Sequence, residues 1–221
     1  MLPVISCTVA KVNDVIKPGK FITLEGGEGV GKTTNLAFIV DYLQQRGIAA
    51  VATREPGGTA LGERIRDLLL HGQDMSADTE LLLMFAARAA HLSEVIKPAL
   101  AKGVWVICDR FTDATYAYQG GGRGIPTERI AALETWVQGD FRPDQVLVLD
   151  ASLAVSAVRR RQRNQSDRFE REQETFFQQV RNVYLQRAKL PTYRLIDASR
   201  SLEEVQASLK QAVDALISEI D

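Results

Sequence analysis

Gly26, Gly31, Lys32 and Thr33 stand in the spacing G-x-x-x-x-G-K-[ST], a pattern whose chemistry is the binding of phosphate. The whole loop reads Gly26-Gly27-Glu28-Gly29-Val30-Gly31-Lys32-Thr33-Thr34. Glycine adopts φ > 0 and lets backbone N–H groups approach phosphate oxygens. Lys32 would reach the outer phosphates of a nucleoside triphosphate, and the Thr33 hydroxyl would hold Mg²⁺. The context fits. An apolar run, Phe21-Ile22-Thr23-Leu24-Glu25, precedes the loop, and a helical pattern over 35–40 follows it. A helix that starts there adds unpaired N–H groups and a positive dipole end.

The elements that must position this loop are legible as apolar runs. Residues 48–53, 104–108, 145–150 and 193–197 read as four further strands, continuous in hydrophobicity as strands covered on both faces are. Helical patterns separate them over 60–70, 77–100, 127–137, 170–189 and 202–220, with Thr127 and Ser152 as caps. Strands alternating with helices predict an α/β three-layer sandwich on a five-stranded parallel sheet. Gly120-Gly121-Gly122-Arg123-Gly124 reads as a flexible loop, and Pro98 as a kink or stop in the 77–100 helix. Residues 1–19 read as an N-terminal extension, and 20–221 as one domain with a lid near 159–170.

Ligands of such sheets bind at the carboxyl ends of the strands. There the sequence delivers Glu25, Arg54-Glu55, Asp109-Arg110 and Asp150. Asp150 reads as a solvated ion pair; the others read as a phosphate site. Arg88 lies in the apolar stretch Leu81-Leu82-Leu83-Met84-Phe85-Ala86-Ala87-Arg88. A buried guanidinium needs an acceptor, either a carboxylate or a ligand carbonyl.

Net charge is −1 over 221 residues, so no global field draws the molecule to nucleic acid or membrane. No apolar run approaches the roughly 18 residues of a span. Cys7 and Cys108 form no disulfide framework, which favours a reducing cytoplasm. Cys108 reads as a buried thiol, and His71 and His91 as surface or packing residues rather than metal ligands.

The segments Thr53-Arg54-Glu55-Pro56-Gly57-Gly58-Thr59, Asp109-Arg110-Phe111, Ala117-Tyr118-Gln119-Gly120-Gly121-Gly122-Arg123-Gly124 and Asp167-Arg168-Phe169-Glu170 resemble, in order and spacing, the bacterial thymidylate kinase family. The resemblance runs from about residue 21 to the C-terminus. It implies a phosphate-loop nucleotide kinase fold with a lid, and transfer of the ATP γ-phosphoryl group to dTMP in dTTP biosynthesis. It implies Arg54, Arg66 and Arg110 at the acceptor phosphate, Asp109 and Thr33 at Mg²⁺, and a cis Glu55–Pro56 bond that aims the strand-two side chains. By the same resemblance Arg88 donates to thymine O4, Gln119 meets the ring edge, Thr115 lies near the base, and Tyr118 crowds the sugar 2′ position. Phe85 is the expected stacking aromatic, although many relatives place it where Met84 stands. A homodimer is implied as well.

Eukaryotic relatives carry an arginine inside the phosphate loop where this chain has Gly29. The cluster Arg159-Arg160-Arg161-Gln162-Arg163 resembles the bacterial lid, which brings an arginine over the transferring phosphate; Arg163 is the first choice and Arg161 the second. No aromatic residues interleave this run, which argues against a nucleic-acid patch. Two other readings stand beside the kinase. A nucleotide-dependent switch would carry N-K-x-D, which is absent, and an ATPase would place a carboxylate where Arg110 follows Asp109. A kinase for another nucleoside monophosphate is the closer rival.

Overall fold

The computed structural model describes residues 17–161, 168–169 and 172–218, without the side chains of 160 and 161. The apolar runs become β1 (Phe21–Glu25), β2 (Ala50–Arg54), β3 (Trp105–Asp109), β4 (Gln145–Asp150) and β5 (Tyr193–Asp197). They form one parallel sheet in the order β2-β3-β1-β4-β5. Among the described residues the connections hold α1 (Lys32–Gln45), α2 (Ala60–His71), α3 (Ala77–His91), α4 (Lys97–Ala101), α5 (Thr112–Thr115), α6 (Thr127–Gln138), α7 (Leu153–Arg161), α8 (Glu174–Arg187) and α9 (Leu202–Ser218). The expected five-stranded parallel α/β sheet is present.

Side-chain alternation splits the core into two layers. Ile22, Leu24, Leu147 and Leu149 pack against Ile39 and Leu43 of α1 and Val205, Leu209 and Val213 of α9. On the opposite face Val146 and Val148 meet Phe176, Val180 and Tyr184 of α8. Phe21, Val106 and Cys108 meet Leu92 and Ile96 there. The edge strands are more exposed, Val51 and Leu195 among them. β1 sits between β3 and β4, so the strand order reverses beside it. That reversal opens a crevice at the carboxyl ends, where the glycine loop begins.

Four expectations shift. The 77–100 helix does not stop at Pro98: α3, a wide π-type turn over Leu92–Ile96 and α4 run on with right-handed helical dihedrals at each junction. The wide turn just ahead of the proline accommodates a residue that has no N–H to give the preceding turn. The glycine run is not a free loop. Tyr116–Gly122 forms wide helical turns that continue α5. A Cβ on Gly122 would lie 2.3 Å from the Phe176 ring, and one on Gly121 would lie 2.7 Å from Val183. These glycines let the turn touch α8. Thr127 begins α6 without capping it, with Pro126 at the boundary, whereas Ser152 does accept a bond from the Val155 N–H at 3.4 Å. Finally α8 starts at Glu174, after a turn in which the Glu172 N–H donates to Phe169 O.

The expected extension is tied down at its end: the Gly19 N–H donates to Leu100 O at 2.8 Å. Residues 1–16 lie outside the described residues. Cys108 is fully buried, as expected, and burial pushes its thiol pKa well up.

Candidate active site

The phosphate loop leaves β1 through Gly26, at φ 133°. A Cβ there would stand 2.2 Å from Leu149 O, so strand β4 itself demands glycine. Gly31 closes the loop in a left-handed conformation as the N-cap of α1, and no side chain caps that helix. The first N–H groups of α1 therefore remain open to an anion. Lys32 is buried and donates through Nζ to Gly26 O at 3.1 Å and Gly27 O at 2.8 Å. Burial, and then the Arg110 charge, lower its pKa. Val30 turns into the core, so its backbone alone serves the loop. Thr34 is exposed one residue beyond Thr33.

Lys32, Thr33, Glu28, Gly29 and Gly31 line one end of a cavity of about 260 Å³. Its other end is lined by Arg54, Glu55, Pro56, Arg66, Leu70, Met84, Arg88, Asp109, Arg110, Phe111, Ala114, Thr115, Tyr118, Gln119 and Phe169. Strands β2 and β3, α2, α3 and the wide turn thus deliver most of the expected residues to one cleft.

At its centre Arg110 takes a left-handed backbone, φ 69°, unusual for a residue with a Cβ. That turn folds its guanidinium back over the loop. Nη1 donates to Gly26 O at 2.9 Å and Tyr184 Oη at 3.1 Å. Nη2 donates to Glu28 Oε1 at 2.5 Å and Tyr118 Oη at 2.9 Å. Arg110 thereby links the phosphate loop to the wide turn. Beneath it Glu25 accepts from the Phe111 N–H at 2.6 Å and the Tyr184 hydroxyl at 3.0 Å. Burial, with Asp113 adding to it, pushes the Glu25 pKa up to about 8.

Arg88 is buried to 2 % exposure. Its Nε donates to Glu55 Oε2 at 2.7 Å, and Nη2 donates to Phe111 O at 3.1 Å and Thr115 Oγ1 at 3.0 Å. Nη1 has no hydrogen-bond partner among the described residues. Glu55 is held from its other side by His91 Nδ1 at 3.0 Å. That bond leaves His91 Nε2 to accept from the Thr53 hydroxyl at 2.6 Å. His91 is a packing residue, as expected, and it also orients Glu55. Glu55–Pro56 is cis. Arg54 pairs with Glu63 at 2.8 Å near the rim, and Arg66 Nη1 donates to Pro56 O at 3.0 Å.

Phe85 does not line the cavity. It packs with Leu81, Ile125 and Ile130, with its ring 4.8 Å from the Arg88 guanidinium. Met84 lines the cavity instead, because one residue along a helix turns a side chain by about 100°. Asp150 forms the expected ion pair, both oxygens bound by Arg181 at 2.8 Å. Arg163 lies outside the described residues, and so does the Arg161 side chain. Sequence reasoning missed Tyr184, Phe169 and Glu80 as members of the site. Their partners lie up to 159 residues away, and no local spacing announces such pairs.

Asp109 Oδ1 is buried without a partner among the described residues. It lines the cavity with Thr33. No group of three His, Cys, Asp or Glu side chains fit to hold a metal occurs among the described residues. The Asp109 carboxylate and the Thr33 hydroxyl are hard oxygen donors, the kind Mg²⁺ takes alongside waters and phosphate oxygens.

A parallel sheet in this order, with a phosphate loop after β1 and a second, guanidinium-lined pocket at β2 and β3, defines a phosphate-loop nucleotide kinase. Within that class the chain belongs to the thymidylate kinase family, whose model matches residues 24–209. It is 59% identical to a thymidylate kinase of Pseudomonas syringae pv. tomato over 203 residues, 90% of this chain and 97% of that one. It is 56% identical to one from Ectopseudomonas mendocina over 203 residues, 90% of this chain and 97% of that one. It is 54% identical to one from Thiobacillus denitrificans over 201 residues, 90% of this chain and 98% of that one.

Proposed function

We propose that the chain transfers the ATP γ-phosphoryl group to dTMP, giving dTDP and ADP. The observation that carries the choice of acceptor is Arg88. A buried guanidinium at a cavity, with three bonds made and Nη1 unpaired among the described residues, supports donation to a ligand carbonyl, thymine O4. Gln119, which lines the same cavity, supports a contact to the ring N–H. Tyr118 is read as the group that crowds the sugar 2′ position. The stacking role expected of Phe85 passes to the Met84 side of α3, where a thioether meets a ring face.

Lys32 and the loop amides of residues 26–34 hold the donor phosphates. Arg54, Arg66 and Arg110 neutralise the acceptor phosphate; a planar guanidinium suits phosphate because it binds two oxygens at once. Asp109, whose Oδ1 has no partner among the described residues, and Thr33 would hold Mg²⁺, which when bound offsets charge on the transferring phosphates. The acceptor oxygen is already ionised, so no strong base is needed. Catalysis then rests on aligning two nucleotides end to end.

The lid spans about 159–170 and brings Arg163, or failing that Arg161, over the phosphates, since Gly29 offers no charge from the loop. Such an arginine is worth roughly 10³–10⁵ in rate in related systems. Arg163→Ala should lose most turnover and keep its dTMP affinity; equal turnover moves the role to Arg161. We place the catalytic domain at residues 20–221. We further propose a cytoplasmic homodimer; sedimentation equilibrium tests it against a single 24.4 kDa chain.

ADP release measured in parallel with dTMP, dUMP, dCMP and AMP tests the reading. dTMP should lead. dUMP should follow, because one methyl group discriminates by roughly 1–3 kcal/mol. Nucleotide binding without dTMP turnover overturns it.

A further inference from the structure

We propose that Glu80 sets base specificity as a positioning residue: it fixes the direction of the Gln119 carboxamide, so that the cavity accepts the imide edge of thymine and refuses the amidine edge of cytosine. The proposal rests on the dTMP kinase reading.

Glu80 lies in the first turn of α3, where an acid ordinarily faces solvent and the helix dipole. Here it is fully buried, at 0 % exposure. Its Oε1 accepts from Gln119 Nε2 at 2.8 Å and from Arg123 Nε at 3.4 Å. Its Oε2 is bound by Arg168 Nη2. Arg168 is itself anchored, its Nε donating to Leu69 O at 3.0 Å and its N–H to Leu70 O at 3.1 Å. Glu80 is therefore a fixed point.

An ion-paired carboxylate accepts hydrogen bonds and donates none. The Gln119 amide must turn its NH₂ toward it, because the flipped amide would set oxygen against oxygen in a buried site. The polar end left to Gln119, which lines the cavity, is then its carbonyl oxygen. The same cavity carries Arg88, whose Nη1 is unpaired among the described residues. Within one cavity the two residues offer a donor and an acceptor. Thymine presents O4 beside N3–H, the complement of that pattern. Cytosine presents an amino donor beside a bare N3 acceptor, reversed at both positions. The reversed edge leaves two buried protein groups unpaired, the strongest form of rejection a site can build.

The test compares dTMP with 5-methyl-dCMP, which keeps the methyl group and changes only the edge. A carboxamide at position 80 both donates and accepts, so it satisfies either direction of Gln119. In Glu80→Gln the ratio of kcat/KM for dTMP over 5-methyl-dCMP should fall by about tenfold or more, with the KM for ATP unchanged. In a Gln119→Leu background, adding Glu80→Gln should not change the ratio further. Where Glu80→Gln melts too low to assay, Glu80→Asp reads the same ratio; it keeps the charge for Arg168 but is one methylene short of Gln119. An unchanged ratio in a folded Glu80 variant, or an equal fall without Gln119, overturns the proposal alone. A parent enzyme inert toward dTMP overturns the functional reading on which the proposal stands.

Discussion

Arg88 and Glu55 are worth more to each other than to either alone. Both are nearly excluded from water, at 2 % and 4 % exposure, and the ring of Phe111 stands 5.1 Å from the guanidinium. Removing one partner strands the other charge, at roughly 3–5 kcal/mol. Arg88→Met should therefore lower unfolding free energy by that order in urea titrations and also raise the KM for dTMP. Adding Glu55→Gln should restore much of the stability and none of the dTMP affinity. A double variant no more stable than Arg88→Met would separate the two residues. Glu25 yields a pH prediction. Its pKa is pushed from an ordinary 4.5 up to about 8, chiefly by burial. Between those values the folded chain binds more protons than the unfolded chain, so stability falls as pH rises. The contribution is complete below about pH 4.5 and gone above about pH 8. Glu25→Gln should lose less stability than the parent between pH 5.5 and 8.5, the difference approaching about 1.4 kcal/mol per unit in mid-window. Parallel curves for the two proteins would show that Glu25 titrates elsewhere.

The wide turn Tyr116–Gly122 and helix α8 form the element pair on which the base end of the cavity depends. Tyr118 meets Phe176 and Tyr184 edge-on, with ring centroids 6.0 and 6.5 Å apart. Gly122 is what allows Phe176 to come that close. Gly122→Ala must push the Phe176 ring aside, which overpacks a buried contact at a cost of about 1–3 kcal/mol. Its melting temperature should drop. The KM for dTMP should rise more than the KM for ATP, since Tyr118 and Gln119 share the turn while the phosphate loop does not. Equal rises in both constants would mean that the disturbance is not confined to the base end of the cavity. The same turn marks the limit of what the sequence conveys. The strands were legible because a doubly covered strand is a short apolar run wherever it occurs, and the phosphate loop because its chemistry is local. A glycine run is ambiguous: it signals freedom in a loop and contact in a packed turn, and only Phe176 and Val183, over fifty residues on, decide which. Phe85 and Met84 differ by one helical step, and periodicity places a helix better than it phases one. The Glu80–Arg168 pair spans 88 residues and leaves no local trace.

At the scale of the whole molecule, β1 and its loop divide one cleft into two ends. One end is backbone amide and Lys32; the other is side-chain guanidinium from β2, β3, α2 and α3. Arg110 belongs to both, since it bonds Gly26 of the loop and Tyr118 of the base end. A molecule built this way should hold two nucleotides together, and each should stabilise the fold independently of the other's site. Ligand at a hundred times its Kd adds about 2.7 kcal/mol to unfolding free energy, which for a chain of this size shifts Tm by roughly 5–11 °C. Calorimetry with ADP alone, dTMP alone and both should give two such shifts and a combined shift near their sum. The combined shift should shrink in Arg110→Lys more than either single shift does, because Arg110 touches both ends and a lysine cannot span four acceptors from one point charge. A combined shift no greater than the larger single one would mean that the nucleotides compete for one end. Phosphoryl transfer between them in this cleft would then be geometrically impossible.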